Sequence, residues 1–107
     1  MMRWPVLATL SLCALTTLAS GMPSSERRVE LDYLLTQDCG SCHGLTMKGG
    51  LGPALTPESL AGKPAVYLQT TILHGRPGTA MPPWRGILTD AESLWLAERL
   101  LAGEVGR

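Results

Sequence analysis

Cys39-Gly40-Ser41-Cys42-His43 is the stretch around which the rest of this chain has to be arranged. Two cysteines three positions apart, followed at once by a histidine, have the spacing at which a c-type haem is attached. The thiols form thioethers with the porphyrin, and the histidine lies beneath the iron as the proximal ligand. The motif therefore predicts one covalent haem c, held by Cys39 and Cys42, with His43 as an axial ligand of the iron.

Two other interpretations of a C-x-x-C pair lack the residues that they need. A zinc ribbon requires a second cysteine pair or two ligand histidines, and the chain's third cysteine is the isolated Cys13. A thioredoxin-like dithiol requires a β-strand before the motif, whereas the residues before Cys39 have a helical pattern. Haem attachment is the interpretation that the surrounding sequence favours.

The first 21 residues have the pattern of a secretory signal peptide. Arg3 precedes an apolar stretch of thirteen residues, 6–18, and the small residues 19–21 follow. A retained membrane anchor is the competing interpretation, but thirteen residues fall short of the roughly 20 that a bilayer requires. We expect cleavage after Gly21, which removes Cys13 and predicts a periplasmic protein with no membrane segment.

Residues 22–107 form one predicted domain of 86 residues. Without Arg3 it has eight basic and nine acidic side chains, a balance that favours neither nucleic acid nor an anionic membrane as a partner. We expect a monomer. The chain has no Phe, and a domain this small rarely buries enough apolar surface to be stable unaided. A covalently held porphyrin would supply the missing apolar mass.

The mature chain has the pattern of helices separated by loops rich in Gly and Pro, without strand-like alternation. Capping residues and glycines predict helices over 24–38, 64–75 and 89–103, and a single helical turn at 56–59. Thr89 and Glu92 form a capping box. The apolar surface of the first helix is expected to consist of Val29, Leu31, Tyr33, Leu34 and Leu35. These patterns predict a small all-α fold.

A second axial ligand is expected among Met22, Met47, His74 and Met81. Met22 is at the new terminus, Met47 follows His43 by only four residues, and His74 ends a helix where a surface position is favoured. Met81 lies 38 residues after His43, and the two prolines that follow it favour a rigid loop. Met81 is therefore the predicted ligand, with a gap-filling core residue as the alternative.

The order of these motifs resembles that of class I c-type cytochromes over nearly the whole mature chain. The motifs that carry the resemblance are Cys39–His43, Gly52-Pro53-Ala54-Leu55, Met81-Pro82-Pro83 and Trp95-Leu96. More narrowly, the stretches 38–44, 48–55 and 74–84 resemble the small c55X-type cytochromes that accompany the haem cd nitrite reductase of denitrifying bacteria.

This resemblance implies a small class I cytochrome c fold, with helices wrapped around one covalently attached haem. The first and last helices would cross and place Trp95 against Val29 to Leu34. It also implies that the carbonyl of Pro53 accepts a hydrogen bond from His43, which would fix the imidazole orientation. Trp84, Arg76 and Arg85 are candidates to bind haem propionates; packing is the alternative for Trp84 and a solvated surface role for each arginine.

Three functions remain open at this point. A haem with two protein ligands leaves no site for substrate, which indicates a one-electron carrier and not an enzyme. The resemblance implies a periplasmic nitrite reductase as the redox partner. The second candidate is an accessory cytochrome in the maturation of that enzyme's haem, and the third is a haem enzyme or sensor with an open iron site. The third requires that Met81 does not bind the iron.

Overall fold

The computed structural model of the protein describes Met1, Met2, Pro5 and residues 21–105. The predicted signal peptide falls mostly on residues 3–4 and 6–20, which lie outside the described residues, so its cleavage stays a prediction. Over the described part of the chain, no helix is both long enough and apolar enough to cross a membrane.

The described residues form helices and loops with no β-strand, which confirms the predicted all-α fold. The helices are α1 (Ser25–Leu34), α2 (Gly40–His43), α3 (Ala65–His74) and α4 (Asp90–Ala102). A π-helical turn, Leu35–Cys39, joins α1 to α2 without a break. The long helices pack on one another, α3 against α4 and α1 against α4, and the attachment motif lies at the end of the α1–α2 segment.

Side-chain caps begin two of these helices at the predicted positions. Ser24 caps the start of α1, where its Oγ accepts a hydrogen bond from the amide of Arg27 at 3.1 Å. Thr89 and Glu92 form the predicted capping box at the start of α4, with the two reciprocal hydrogen bonds at 2.9 and 3.1 Å. Residues 56–60 form the single turn that was predicted. The Leu60 amide donates to Thr56 O at 3.0 Å, and the Ser59 amide donates to the capping Thr56 Oγ1 at 3.3 Å. No helix continues from this turn, because the chain soon reaches Gly62 and Pro64.

The π-helical turn was not predicted. The sequence indicated a regular helix towards Asp38, whereas the Gly40 amide bonds five residues back to Leu35 O. Such a turn contains one residue more than an α-helix needs at that point. The extra residue changes the rotation of the chain about the helix axis. Cys42 and His43 therefore point in a different direction, relative to Leu35, than they would in an unbroken α-helix.

Leucines build most of the core. Its buried members are Leu31, Leu35, Met47, Leu60, Leu68, Leu88, Leu96, Ala97 and Leu100. The expectation for α1 was wrong for Val29 and Tyr33, which are 71% and 70% exposed. They lie on the outer face of α1, because Leu31 and Leu35, one turn apart, turn the opposite face inward.

Two arginines tie α1 to α4. Arg27 pairs with Glu92, and Arg99 Nη2 lies 2.8 Å from Asp32 Oδ1. The guanidinium of Arg99 also lies over the indole of Trp95, 5.2 Å from the ring centroid. Arg99 therefore connects Trp95 to α1, so the helix pair is fixed by ion pairs as well as by leucines.

Candidate haem-binding site

One cavity of about 500 Å³ is lined by most of the residues that the sequence analysis assigned to haem and iron, including both cysteines, His43 and Met81. Its walls come from the attachment motif, the loop 51–55, helix α3 and the segment 76–84. Met81 and His43 face this same space although 38 residues separate them in the sequence. The lining residues that were predicted are Cys39, Cys42, His43, Pro53, Arg76, Met81 and Trp84.

The loop 44–55 folds back over the attachment motif. The amide of Gly49 donates to His43 O at 2.8 Å, and that of Gly52 donates to Cys42 O at 2.7 Å. These bonds satisfy carbonyls that the short helix α2 leaves without partners at its end. Met47, 3% exposed, packs in the core beneath this loop. The motif is therefore held in place by backbone hydrogen bonds and by a buried side chain.

The imidazole of His43 has one nitrogen in contact with Pro53. Nδ1 lies 2.7 Å from the Pro53 carbonyl oxygen, which can only accept a hydrogen bond. Nδ1 therefore carries the proton, and Nε2 keeps its lone pair for a metal. The backbone of Gly52 passes so close to the ring that a Cβ there would lie 2.8 Å from Cε1. Any side chain at position 52 would push the ring out of this orientation.

The two thiols differ in their surroundings. Burial and, to a smaller extent, the neighbouring Asp38 carboxylate together raise the pKa of the Cys39 thiol to about 11. Cys39 is therefore protonated at neutral pH before any haem is attached. Ser41 lies between the cysteines, and its hydroxyl donates to Asp38 O at 2.7 Å. Neither Cys39 nor Cys42 forms a disulfide.

The segment 75–84 is here called the Met81 loop. It contributes to the cavity lining, although it is far from the attachment motif in the sequence. Gly75 has φ +65°, and a Cβ there would lie 2.6 Å from Met81 O. The Arg76 amide donates to Met81 O at 3.2 Å, and the Trp84 amide donates to Ile72 O at 3.1 Å. The Gly75 amide also donates to Thr71 O at 2.8 Å, so the loop is attached at both ends to the C-terminal turn of α3.

The other candidate ligands lie elsewhere. Met22 and His74 are exposed, and Met47 is in the core without lining the cavity. Arg85 also lies outside the cavity lining, and its Nη1 is 3.4 Å from Asp90 Oδ1. Arg76 lines the cavity and donates through Nη2 to Tyr67 Oη at 3.0 Å. Of the two arginines considered for the propionates, only Arg76 is positioned at the cavity.

Sequence reasoning missed several lining residues from distant parts of the chain. Leu100 of α4 reaches the cavity, and so do Lys63 and Leu60 of the segment before α3. Leu68 and Ile72 of α3 also line the cavity; they lie four residues apart, a helical spacing, but that spacing does not tell which partner the apolar face meets. None of these five residues belongs to a sequence motif that points to haem, because tertiary packing alone brings them to the cavity.

The residues present fit a covalently attached haem. Two thiols, an imidazole with a free Nε2 and a thioether face a space whose other walls are mostly apolar and include five leucines. This donor set is the one that c-type haem uses. The Gly52 backbone lies so close to the His43 ring that a residue with a side chain would not fit at position 52.

Both a protein-family model and individual proteins match this chain. Residues 28–98 match the protein family described as cytochrome c oxidase, cbb3-type, subunit III. The chain is 53% identical over 102 residues to cytochrome c55X of Pseudomonas aeruginosa, covering 95% of this chain and 86% of that one. It is 54% identical over 97 residues to cytochrome c55X of Stutzerimonas stutzeri, covering 91% and 86%.

Two solved structures are similar in fold. A structure described as the c-type cytochrome NirC has a TM-score of 0.75 at 57% identity, covering 77% of this chain and 96% of that one. The dihydro-haem d1 dehydrogenase NirN in complex with DHE has a TM-score of 0.61 at 41% identity, and the match covers 65% of this chain but only 15% of that one. The second similarity is therefore confined to a small part of a much larger protein.

Proposed function

Since this chain belongs to the cytochrome c55X family of small c-type cytochromes, we propose that it is a periplasmic one-electron carrier whose haem iron is bound by His43 and Met81. The family carries haem c, and Cys39 and Cys42 fit its attachment motif. When bound, this haem supplies a one-electron couple between ferric and ferrous iron. The protein's residues hold it and leave no position for a substrate, so we propose that the protein is not an enzyme.

The observation that carries this proposal is the shared cavity. His43 and Met81 both line it, together with both cysteines. The hydrogen bond from His43 Nδ1 to Pro53 O orients the ring and raises the basicity of Nε2. A thioether as the other ligand favours the reduced iron and raises the potential. Electrons then enter and leave without any bond being made to substrate.

Replacing Met81 tests the proposed ligation. The ferric protein should show the weak charge-transfer band at the red end of the visible spectrum that this family associates with a Met–Fe bond. Met81→Ala should lose that band and lower the reduction potential. Met22→Ala, an exposed methionine outside the cavity, is the matched control and should keep both. If Met81→Ala kept the band, the iron would have another ligand or an open site, and the enzyme or sensor alternative would gain support.

The proposed partner is a periplasmic haem cd nitrite reductase, and the proposed carrier acts as a monomer. The near balance of charge in residues 22–107 gives little long-range steering, so transfer should depend only mildly on salt. Stopped-flow mixing of the reduced carrier with purified nitrite reductase should show haem oxidation within the time of nitrite turnover. The proposed partner would be contradicted if the haem of this carrier were not oxidised while another small cytochrome, tested in parallel, supported nitrite turnover.

The partial match to a dihydro-haem d1 dehydrogenase supports a second candidate function, in haem maturation. That enzyme includes a segment similar to this chain within a much larger protein. A dehydrogenation releases electrons in pairs, and a one-electron carrier accepts them singly in successive encounters. Incubating the oxidised carrier with the purified dehydrogenase and dihydro-haem d1 should then reduce the carrier's haem. Reduction there, without oxidation by nitrite reductase, would favour the maturation role.

A further inference from the structure

The Met81 loop closes on itself through the side chain of Thr79. Its Oγ1 donates a hydrogen bond to Arg76 O at 2.6 Å and accepts one from the Met81 amide at 3.3 Å. The Arg76 amide donates to Met81 O at 3.2 Å, and the Thr79 amide donates to Arg76 O at 3.0 Å. Arg76 and Met81 are thus joined both directly and through one hydroxyl group.

This closed arrangement is anchored to α3 at its Arg76 end. The guanidinium of Arg76 donates to the hydroxyl of Tyr67, and the amide of Gly75 donates to Thr71 O at 2.8 Å. Thr79 itself lines the cavity. The position of the Met81 backbone is therefore transmitted to a rigid helix by Arg76, and Thr79 provides the side-chain link between the two residues.

From these contacts we propose that Thr79 is a positioning residue for Met81. The inference rests on the proposed His43/Met81 ligation and specifies what holds the thioether in place. A hydroxyl that both donates and accepts fixes the Met81 amide, and with it the direction in which the side chain leaves the backbone. Without the hydroxyl, the direct bond between Arg76 and Met81 remains, so the loop stays folded but opens more often.

Imidazole binding to the ferric holoprotein measures this opening, because imidazole reaches the iron only when the distal ligand has left. Losing one net hydrogen bond shifts such an equilibrium about two- to tenfold. Thr79→Val, which keeps the shape but removes the hydroxyl, should raise the imidazole affinity by that factor and weaken the charge-transfer band. Thr79→Ser, which keeps the hydroxyl, should restore both signals.

Thr70, in the helix to which the Met81 loop is attached, offers a matched control. Its hydroxyl donates to Val66 O at 2.9 Å within α3, and it does not line the cavity. Thr70→Val should therefore leave imidazole affinity unchanged. All affinities are measured below the unfolding transition of each variant, so that a general loss of stability is not mistaken for loop opening.

The outcomes separate this proposal from the ligation on which it rests. If Met81→Ala bound imidazole readily but Thr79→Val behaved like the wild type, Met81 would remain the ligand and the role of Thr79 would be refuted. Equal effects of Thr79→Val and Thr79→Ser, or of Thr79→Val and Thr70→Val, would also refute it. If Met81→Ala bound imidazole no better than the wild type, the ligation itself would be wrong.

Discussion

The two parts of the cavity lining that carry the proposed iron ligands are built in different ways. His43 ends a continuous helical segment and is covered by a loop whose amides bond to the carbonyls of Cys42 and His43. Met81 belongs to an irregular loop whose neighbouring residues are exposed. Its backbone is held by hydrogen bonds through Arg76 and Thr79, with little burial of the surrounding chain.

This difference indicates how the two ligands should respond to change. On the His43 side, covalent attachment, a helix and a buried Met47 act together, so one lost hydrogen bond leaves most of the support intact. On the Met81 side, a few hydrogen bonds and one tight backbone contact at Gly75 supply the support. We expect the Met81 loop to respond to small substitutions that the attachment motif would tolerate.

Removing both cysteines should have the largest effect. Cys39→Ala combined with Cys42→Ala leaves no sulfur for the thioethers, so no holoprotein should accumulate. Haem staining after denaturing electrophoresis and acid-acetone extraction measure this directly. Ser41→Ala, between the two cysteines, removes only a hydroxyl bonded to Asp38 O and should retain covalent haem. Covalent haem in the double variant, or zinc in the wild type, would contradict the assignment.

Gly75→Ala should have the next largest effect, because it should displace the Met81 loop. A Cβ at this position would lie 2.6 Å from both Met81 O and the Pro82 carbonyl carbon, and the residue has φ +65°. Gly78 of the same loop has φ +79° but nothing within 4 Å of a Cβ. Gly78→Ala should therefore cost only the backbone strain, about 1 kcal/mol.

The spectroscopic result distinguishes the two glycine variants. Gly75→Ala should displace Met81 and lose most of the charge-transfer band, whereas Gly78→Ala should keep it. Chemical unfolding of both ferric variants should also show the larger destabilisation for Gly75→Ala, because backbone atoms and not a flexible side chain occupy the space. Equal effects of both substitutions would show that strain alone, and not the contact with Met81, matters at Gly75.

The sequence was most informative where chemistry depends on local spacing. Cys39, Cys42 and His43 follow one another in a motif whose geometry needs no distant residue, and Met81, which lines the same cavity, was predicted from its proline-rich neighbourhood. Lys63 and Leu100 were missed because only tertiary packing brings them to the cavity. Val29 and Tyr33 were placed on the wrong face, because apolar character alone does not tell which face of a short helix turns inward.

The hydrogen bonds of loops were equally beyond prediction. Thr79 has no sequence signal that separates it from the other threonines of the chain, and its role depends on where Arg76 and Met81 come together. The π-helical turn likewise depends on a bond from the Gly40 amide to Leu35 O, which competes closely with the regular α-helical bond.

The pH dependence of stability should be a smaller effect. It should come from the ion pair between α1 and α4, the helices that support both the His43 side and the Met81 side of the cavity. The hydrogen bond from Arg27 lowers the pKa of the Glu92 carboxyl from its ordinary value of 4.5 and outweighs the opposite effect of burial. A lowered folded-state pKa gives stability that is present above pH 4.5 and is lost as the pH falls through that lower value.

Glu92→Gln should therefore be less stable than the wild type at neutral pH, by about 1 kcal/mol after solvent screening of the partly exposed Arg27. Its stability should also fall less steeply in acid. Urea unfolding between pH 3 and pH 7 measures both quantities. Glu30→Gln, which removes the other and more exposed partner of Arg27, should change stability by only a few tenths of a kcal/mol. An acid response unchanged by Glu92→Gln would assign it to other carboxylates.

The smallest effect is expected from a deletion in the π-helical turn, and it tests why the helical side tolerates change. In a regular α-helix, residues eight apart, such as Leu35 and His43, differ by about 80° around the axis, whereas residues seven apart differ by about 20°. The π-helical turn takes up one residue and so gives the second relation. Deleting the exposed Gln37 should therefore convert the turn to α-helix and leave Cys39, Cys42 and His43 facing the cavity.

Mass spectrometry of the Gln37 deletion should then show the same covalent haem content as the wild type. Deleting Tyr33, which is also exposed, is the matched control, because α1 has no surplus residue there and Leu31 would rotate by about 100° away from the core face shared with Leu35. That variant should unfold readily and accumulate little holoprotein. Loss of haem in the Gln37 deletion would mean that the π-helical geometry itself, and not the rotational register it provides, is needed for attachment.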